Sequence, residues 1–335
     1  MRLRYVSVLA LSCFGFALGQ QGNPPRLGGG SPTLAYKEVP DWPIQATNAA
    51  GKPGGPWNFI QVSGVAVEAG GRVLVLHRGA YPILEFESDG KFVRSWGNGM
   101  FSEGKVAAMA PPLRVPGQSA YSAVYGPAGC DSCGAHNVRV DPDHNLWAIN
   151  ATGQTIYKMD PQGKVIMQLG QKGVSGTGHT TFNLPTDVGF APNGDFYVTD
   201  GYANARVVKF SHDGKYLLEW GSRGKGPGQF ELPHNVVVDA QGRVYVTDRE
   251  NRRIEVFDAN GEFLAQWPTV EGISGLFMTK DQQIWAGAVL LDLKGQVVGK
   301  LPGGSASGGH GVAISDSGDV YLAQLSGKVQ KFVRQ

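Results

Sequence analysis

The sequence predicts an all-β protein, a six-bladed β-propeller whose ring is closed by an N-terminal strand. Three observations carry this expectation. The 335 residues include 49 glycines with no collagen period, alongside many Val, Phe, Tyr and Trp, which is the composition of short strands joined by tight turns. One pattern recurs six times along the chain. Each full copy holds four alternating apolar runs of about five residues, the usual strand length.

The full copies begin at Ser63 (SGVAVEAGGRVLVLHRGAYPILEFESDGKFVRSWG), His136, Thr186 and His234, and shorter ones at Ser274 and His310. In the fourth copy the expected strands are 235–238, 244–247, 253–257 and 263–266. The turn sequences Ala240-Gln241-Gly242, Glu250-Asn251 and Ala259-Asn260-Gly261 separate them. A single four-stranded sheet with two apolar faces cannot bury itself, whereas radial stacking of such sheets does. The last copy ends after its third strand, at Phe332, and Leu34–Trp42 offers the missing fourth. Trp42 there resembles Trp96, Trp220 and Trp267 in the other fourth strands.

Residues 1–19 read as a secretory signal, with an early pair of arginines, the apolar run VSVLALSCFGFAL and cleavage near Gly19. A lipoprotein reading through Cys13 fits poorly, because the apolar run before it would be very short. The expected location is therefore secreted or periplasmic. Residues 20–60 form a leader that contains the closing strand, and 61–335 form the propeller, with an insertion at 98–130. Met109–Leu113 and Tyr121–Tyr125 make that insertion apolar enough to cover a pocket. No later segment is long and apolar enough to span a membrane. A net charge of +2 with 17% charged residues gives no nucleic-acid footprint, and a monomer is expected. In an oxidising compartment Cys130 and Cys133 are expected to form a short disulfide. Gly134-Ala135, standing before His136, excludes a C-x-x-C-H haem site. The Asn150-Ala151-Thr152 sequon matters only in a glycosylating host.

The first residues of the six inner strands are Ser63, His136, Thr186, His234, Ser274 and His310. Alternate blades of a six-bladed ring lie about 120° apart, so the three histidines should face one point on the axis from three sides. Three neutral imidazoles with an open fourth position make a catalytic zinc set, and nitrogen ligands also admit copper, iron or nickel. A single histidine here would more simply bond a neighbouring carbonyl; three related by the repeat point to a metal. On or near the same rim, the hairpins after the second strands carry Arg78, Tyr202 and Arg249. Asp200 with Arg206 and Asp248 with Arg253 are expected to tie adjacent strands. Arg78 can hold a carboxylate bidentately, and Tyr202 beside a cation and a metal can serve as a base.

These residues together resemble the NHL-repeat propellers, and among them the peptidyl-α-hydroxyglycine α-amidating lyases. The most specific pieces are HRG at 77–79, PTDV at 185–188, TDGYANAR at 199–206, PGQFELPH at 227–234 and DREN at 248–251. The resemblance implies a catalytic zinc on His136, His234 and His310, with Tyr202 as catalytic base and Arg78 and Arg249 in the active site. It implies cleavage of a peptide ending in α-hydroxyglycine to a peptide amide and glyoxylate. The family's axial calcium is implied at the carbonyls of Val65 and Val138, but its aspartate is replaced by Gly311, which leaves Asp187 as the available carboxylate. The cysteine that follows the family's tyrosine is Ala203 here, and the repeats are expected to act without a hydroxylating domain. Two other readings remain open: a propeller that binds a protein or peptide without chemistry, and a metal-dependent lactonase.

Overall fold

The computed structural model describes residues 31–44, 59–101, 130–269, 271–304 and 308–335. The signal segment, Met109–Leu113 and Tyr121–Tyr125 lie outside these residues. Among the described residues, six antiparallel four-stranded sheets form the six blades. The repeat therefore maps one copy to one blade. No helix of the described residues is long and apolar enough to cross a membrane.

The sixth blade is built from both ends of the chain. Tyr36–Val39 pairs antiparallel with Lys328–Arg334, in the register Tyr36 to Arg334 and Val39 to Lys331. The closing strand is shorter than the expected Leu34–Trp42, because Trp42 leaves the strand to pack between blades six and one. Trp42 nevertheless occupies the position of its counterparts. It covers Gly90, just as Trp96 covers Gly163, Trp220 covers Gly261 and Trp267 covers Gly295 in the next blade's outer turn. Each of these glycines has positive φ and no room for a Cβ beneath the indole, so the turn conformation and the inter-blade contact impose the same residue.

The core is distributed rather than central. Six apolar clusters lie one at each blade interface, for example Val237, Tyr245, Leu276 and Ile284 between blades four and five. Each sheet thus buries both faces against its neighbours, which explains why second and third strands such as Val244–Asp248 and Arg253–Phe257 are buried throughout. The outermost strands alternate instead, with Leu264 and Leu217 facing solvent.

A chain that begins after residue 44 would lose the closing strand and the Trp42 plug. With about 25 cal/mol per Å² of apolar burial and 150–250 Å² per aromatic side chain, a fall in Tm of at least about 10 °C is expected. Calorimetry of that truncated chain checks it; an unchanged, cooperative transition would show that closure does not depend on this strand.

Candidate metal centre

The inner strands bring the histidines to the axis by a local irregularity. In blade two Ala135 pairs with Asn150 and Asn137 with Ile149, so His136 is the extra residue of a β-bulge. In blade four the register shifts between Pro233 and Val236, placing His234 in the same kind of bulge. A bulge turns a side chain out of the regular alternation, which here redirects each imidazole from the blade face to the channel. His310 immediately precedes its strand, Gly311–Ile314, and its N–H is held by the Ala323 carbonyl at 2.7 Å.

The three rings meet. Their centroids are 4.8–5.0 Å apart, and one ligand atom from each lies within 4.8 Å of the others. Each Nδ1 faces a backbone carbonyl: Thr186 at 2.7 Å from His136, Ser274 at 3.1 Å from His234 and Ser63 at 2.6 Å from His310. The Asn235 side-chain oxygen adds a second acceptor to His234 at 2.8 Å. A carbonyl only accepts, so each Nδ1 carries the proton and each Nε2 is left with a lone pair. The small residues that alternate with histidine in the sequence are thus the acceptors that fix its tautomer.

Burial keeps these rings neutral. His136 is held well below the usual imidazole range by burial first, then by His310, His234 and Arg78. His234 is lowered by burial and then by the Arg249 charge. His310 is pushed down to about 3, again by burial before the charges of Arg249 and Arg78. Three bare Nε2 atoms converging in a buried site repel one another unless a cation or donors lie between them. The Tyr202 hydroxyl stands 3.2 Å from Nε2 of His136 and 3.4 Å from Nε2 of His234, but its single proton can serve only one of them. The donor set therefore fits a metal ion, which His136, His234 and His310 would hold.

Tyr202 reaches the centre because Gly201 lets the blade-three hairpin touch the start of blade four. A Cβ on Gly201 would lie 1.9 Å from the Pro233 carbonyl oxygen. Gly201→Ala is accordingly expected to cost about 1–3 kcal/mol of stability. It should also separate Tyr202 from His234, observable as a lower Tm together with reduced metal retention. The ring of Tyr202 packs with Ala151, Leu184 and Leu232, one apolar side chain from each of three adjacent blades or their connections.

Two arginines flank the tyrosine. The Arg249 guanidinium lies 5.6 Å from the Tyr202 ring centroid, and its Nε donates to Glu250 at 3.0 Å. Arg78 is buried, with Nε donating to the Ala135 carbonyl at 3.2 Å and a terminal nitrogen donating to Gln61 Oε1 at 2.6 Å. Burial pulls its pKa down to about 10, while Tyr202 acts in the opposite direction. Both expected strand ties are present: Asp200 to Arg206 at 3.0 Å and Asp248 to Arg253 at 2.9 Å. Cys130 and Cys133 are disulfide-bonded, and the loop they close donates Asp131 and Ser132 N–H groups to the Arg78 carbonyl. Asn150 is fully buried and donates to the Met100 carbonyl, so the folded protein does not present this sequon to a glycosylating enzyme.

Sequence reasoning missed Gln61, Glu250 and Gly201. Glu250 was legible beside Arg249 in DREN, whereas Gln61 precedes the repeat and gives no pattern to read. Asp187 is fully buried, but its carboxylate is held by the Arg139 guanidinium, with a terminal nitrogen to oxygen distance of 2.5 Å. Val65 and Val138 lie where expected, on the inner strands of blades one and two.

A protein-family profile described as "6-bladed beta-propeller" matches residues 187–269. NHL repeat-containing protein 3 of Mus musculus is 30% identical over 302 residues, covering 80% of this chain and 78% of its own length. The chain belongs to the NHL-repeat β-propellers. The chain is also 29% identical over 248 residues to the Xenopus laevis peptidyl-glycine alpha-amidating monooxygenase B, covering 70% of this chain and 27% of that protein. The chain thus spans about a quarter of the length of that monooxygenase. Another relative, peptidyl-alpha-hydroxyglycine alpha-amidating lyase 1 of Drosophila melanogaster, is 29% identical over 222 residues, or 62% of this chain and 39% of its own.

Proposed function

We propose that this propeller is a metal-dependent lyase that cleaves an N-acyl or peptidyl α-hydroxyglycine into an amide and glyoxylate. The observation that carries the reading is the convergence of three neutral Nε2 atoms on one buried point, with the Tyr202 hydroxyl at 3.2 Å and 3.4 Å from two of them. The relatives named as amidating lyases support the reaction class. A divalent metal, zinc by preference for three imidazoles, would supply a Lewis acid for the substrate hydroxyl.

This chain's residues would do the rest. Tyr202 accepts the hydroxyl proton and hands the same proton to the amide nitrogen as the carbon–nitrogen bond breaks, so one proton passes from oxygen to nitrogen and the tyrosine is returned to its starting state. Arg78, rigidly held by Ala135 and Gln61, is placed to bind the glycine carboxylate, which becomes the carboxylate of glyoxylate. The Arg249 guanidinium, 5.6 Å from the Tyr202 ring centroid, sets a cation against the ring that carries the reacting hydroxyl. Cys130–Cys133 braces the Arg78 backbone, in keeping with an exported protein.

The test is metal analysis of the purified protein followed by glyoxylate release from an N-acylated α-hydroxyglycine. About one equivalent of transition metal and metal-dependent glyoxylate production are expected. Absence of both would leave a binding propeller, and lactone hydrolysis in place of glyoxylate release would reassign the chemistry.

A further inference from the structure

One residue beyond the histidine layer, the six inner strands carry Gly64, Asn137, Asp187, Asn235, Gly275 and Gly311. In blades two to four these positions form a hydrogen-bonded network around Asp187. One carboxylate oxygen accepts from Asn137 Nδ2 at 2.7 Å and Arg139 Nε at 2.9 Å. The other accepts from a terminal nitrogen of Arg139 at 2.5 Å, Asn235 Nδ2 at 2.8 Å and the Val236 N–H at 3.1 Å. A carboxylate offers about four lone-pair directions, so five donors leave none for a metal.

The remaining terminal nitrogen of Arg139 donates to the Leu276 carbonyl at 2.8 Å. Arg139 belongs to blade two and Leu276 to blade five, which stand opposite each other in a six-membered ring. The Arg139 side chain therefore crosses the propeller axis. On the other side of the ring the glycines close backbone to backbone. A Cβ on Gly311 would lie 3.1 Å from Gly64 Cα and 3.2 Å from the Val65 nitrogen, and one on Gly64 would lie 2.8 Å from the Val138 nitrogen. An aspartate at 311, where the lyase resemblance would place a calcium ligand, would press on the Gly64–Val65 backbone, which would have to give by a few tenths of an ångström.

We infer that the Arg139 guanidinium takes the place of an axial calcium, joining blades two, three and five through Asp187 and the Leu276 carbonyl, so that this ring is held without calcium. The inference stands whether or not the protein is a lyase. An internal cation of fixed position does for the ring what a bound divalent ion would do, with planar bidentate geometry toward the carboxylate. It is also retained at any external calcium concentration.

The test uses the full chain carrying its transition metal, dialysed into calcium-free buffer. Substoichiometric calcium by elemental analysis is expected, with Tm unchanged on adding about 5 mM calcium chloride, above the affinity range of weak extracellular calcium modules. One calcium retained per chain, or a Tm raised by calcium, would overturn the inference. A variant pair then examines the cation itself. Arg139→Met leaves a buried carboxylate without its cation and is expected to lower Tm by ~5–10 °C more than Arg139→Met combined with Asp187→Asn. A double variant that melts at or below the single one would count against the ion pair as the tether. If neither variant folds, the calcium measurements on the unaltered protein still decide.

Discussion

His234→Ala is expected to lower the transition-metal content of the purified protein to about a tenth or less and to reduce glyoxylate release at least 100-fold. Changes to groups that merely orient a ligand already cost about 10–100-fold in affinity or activity, and among the described residues His234 is one of three histidines converging on the point. The fold should survive, because His234 lies outside the six inter-blade clusters and its removal relieves the facing lone pairs. Metal content and activity measured together separate the possibilities. Full metal loading with full activity would detach the chemistry from this centre altogether.

The second large effect concerns Tyr202→Phe. The ring keeps its packing against Ala151, Leu184 and Leu232, so stability should change little. Only the hydroxyl that faces His136 and His234 is lost. With the base removed and the metal ligands intact, glyoxylate release should fall by about 10²–10⁴ at unchanged metal content. That split between metal and rate distinguishes a proton-accepting tyrosine from one that only shapes the site. A variant that turns over like the unaltered protein would remove Tyr202 from the chemistry, and the nearby arginines would have to be reconsidered as substrate-binding groups alone.

The propeller and the histidine triad were legible because both are periodic. The repeat fixed one blade per copy, and equivalent first positions fixed the direction of His136, His234 and His310 without any contact being known. The closing strand was legible from a missing fourth run, and Trp42 from its likeness to Trp220, although the strand itself proved shorter. What escaped was aperiodic. The bulges at His136 and His234 show no local signal beyond a polar residue at the start of an apolar run, and they shift strand starts such as Pro233 outward by two residues from the expected Asn235. The partnership of Arg139 with Asp187 depends on a side chain that crosses the ring, a reach that alignment of copies cannot reveal. Gln61 lies before the first copy, outside any comparison between repeats.

The closure of the sixth blade has a consequence for timing. His310 sits at the head of the one sheet that needs both chain ends, since Tyr36–Val39 must find Lys328–Arg334 before that sheet is complete. A growing chain can form blades two and four, with His136 and His234, long before its last residues exist. Two imidazoles alone are a poor trap for a transition ion, whereas the third arrives together with ring closure. An ion held by all three imidazoles would thus be captured only once the sixth blade has closed.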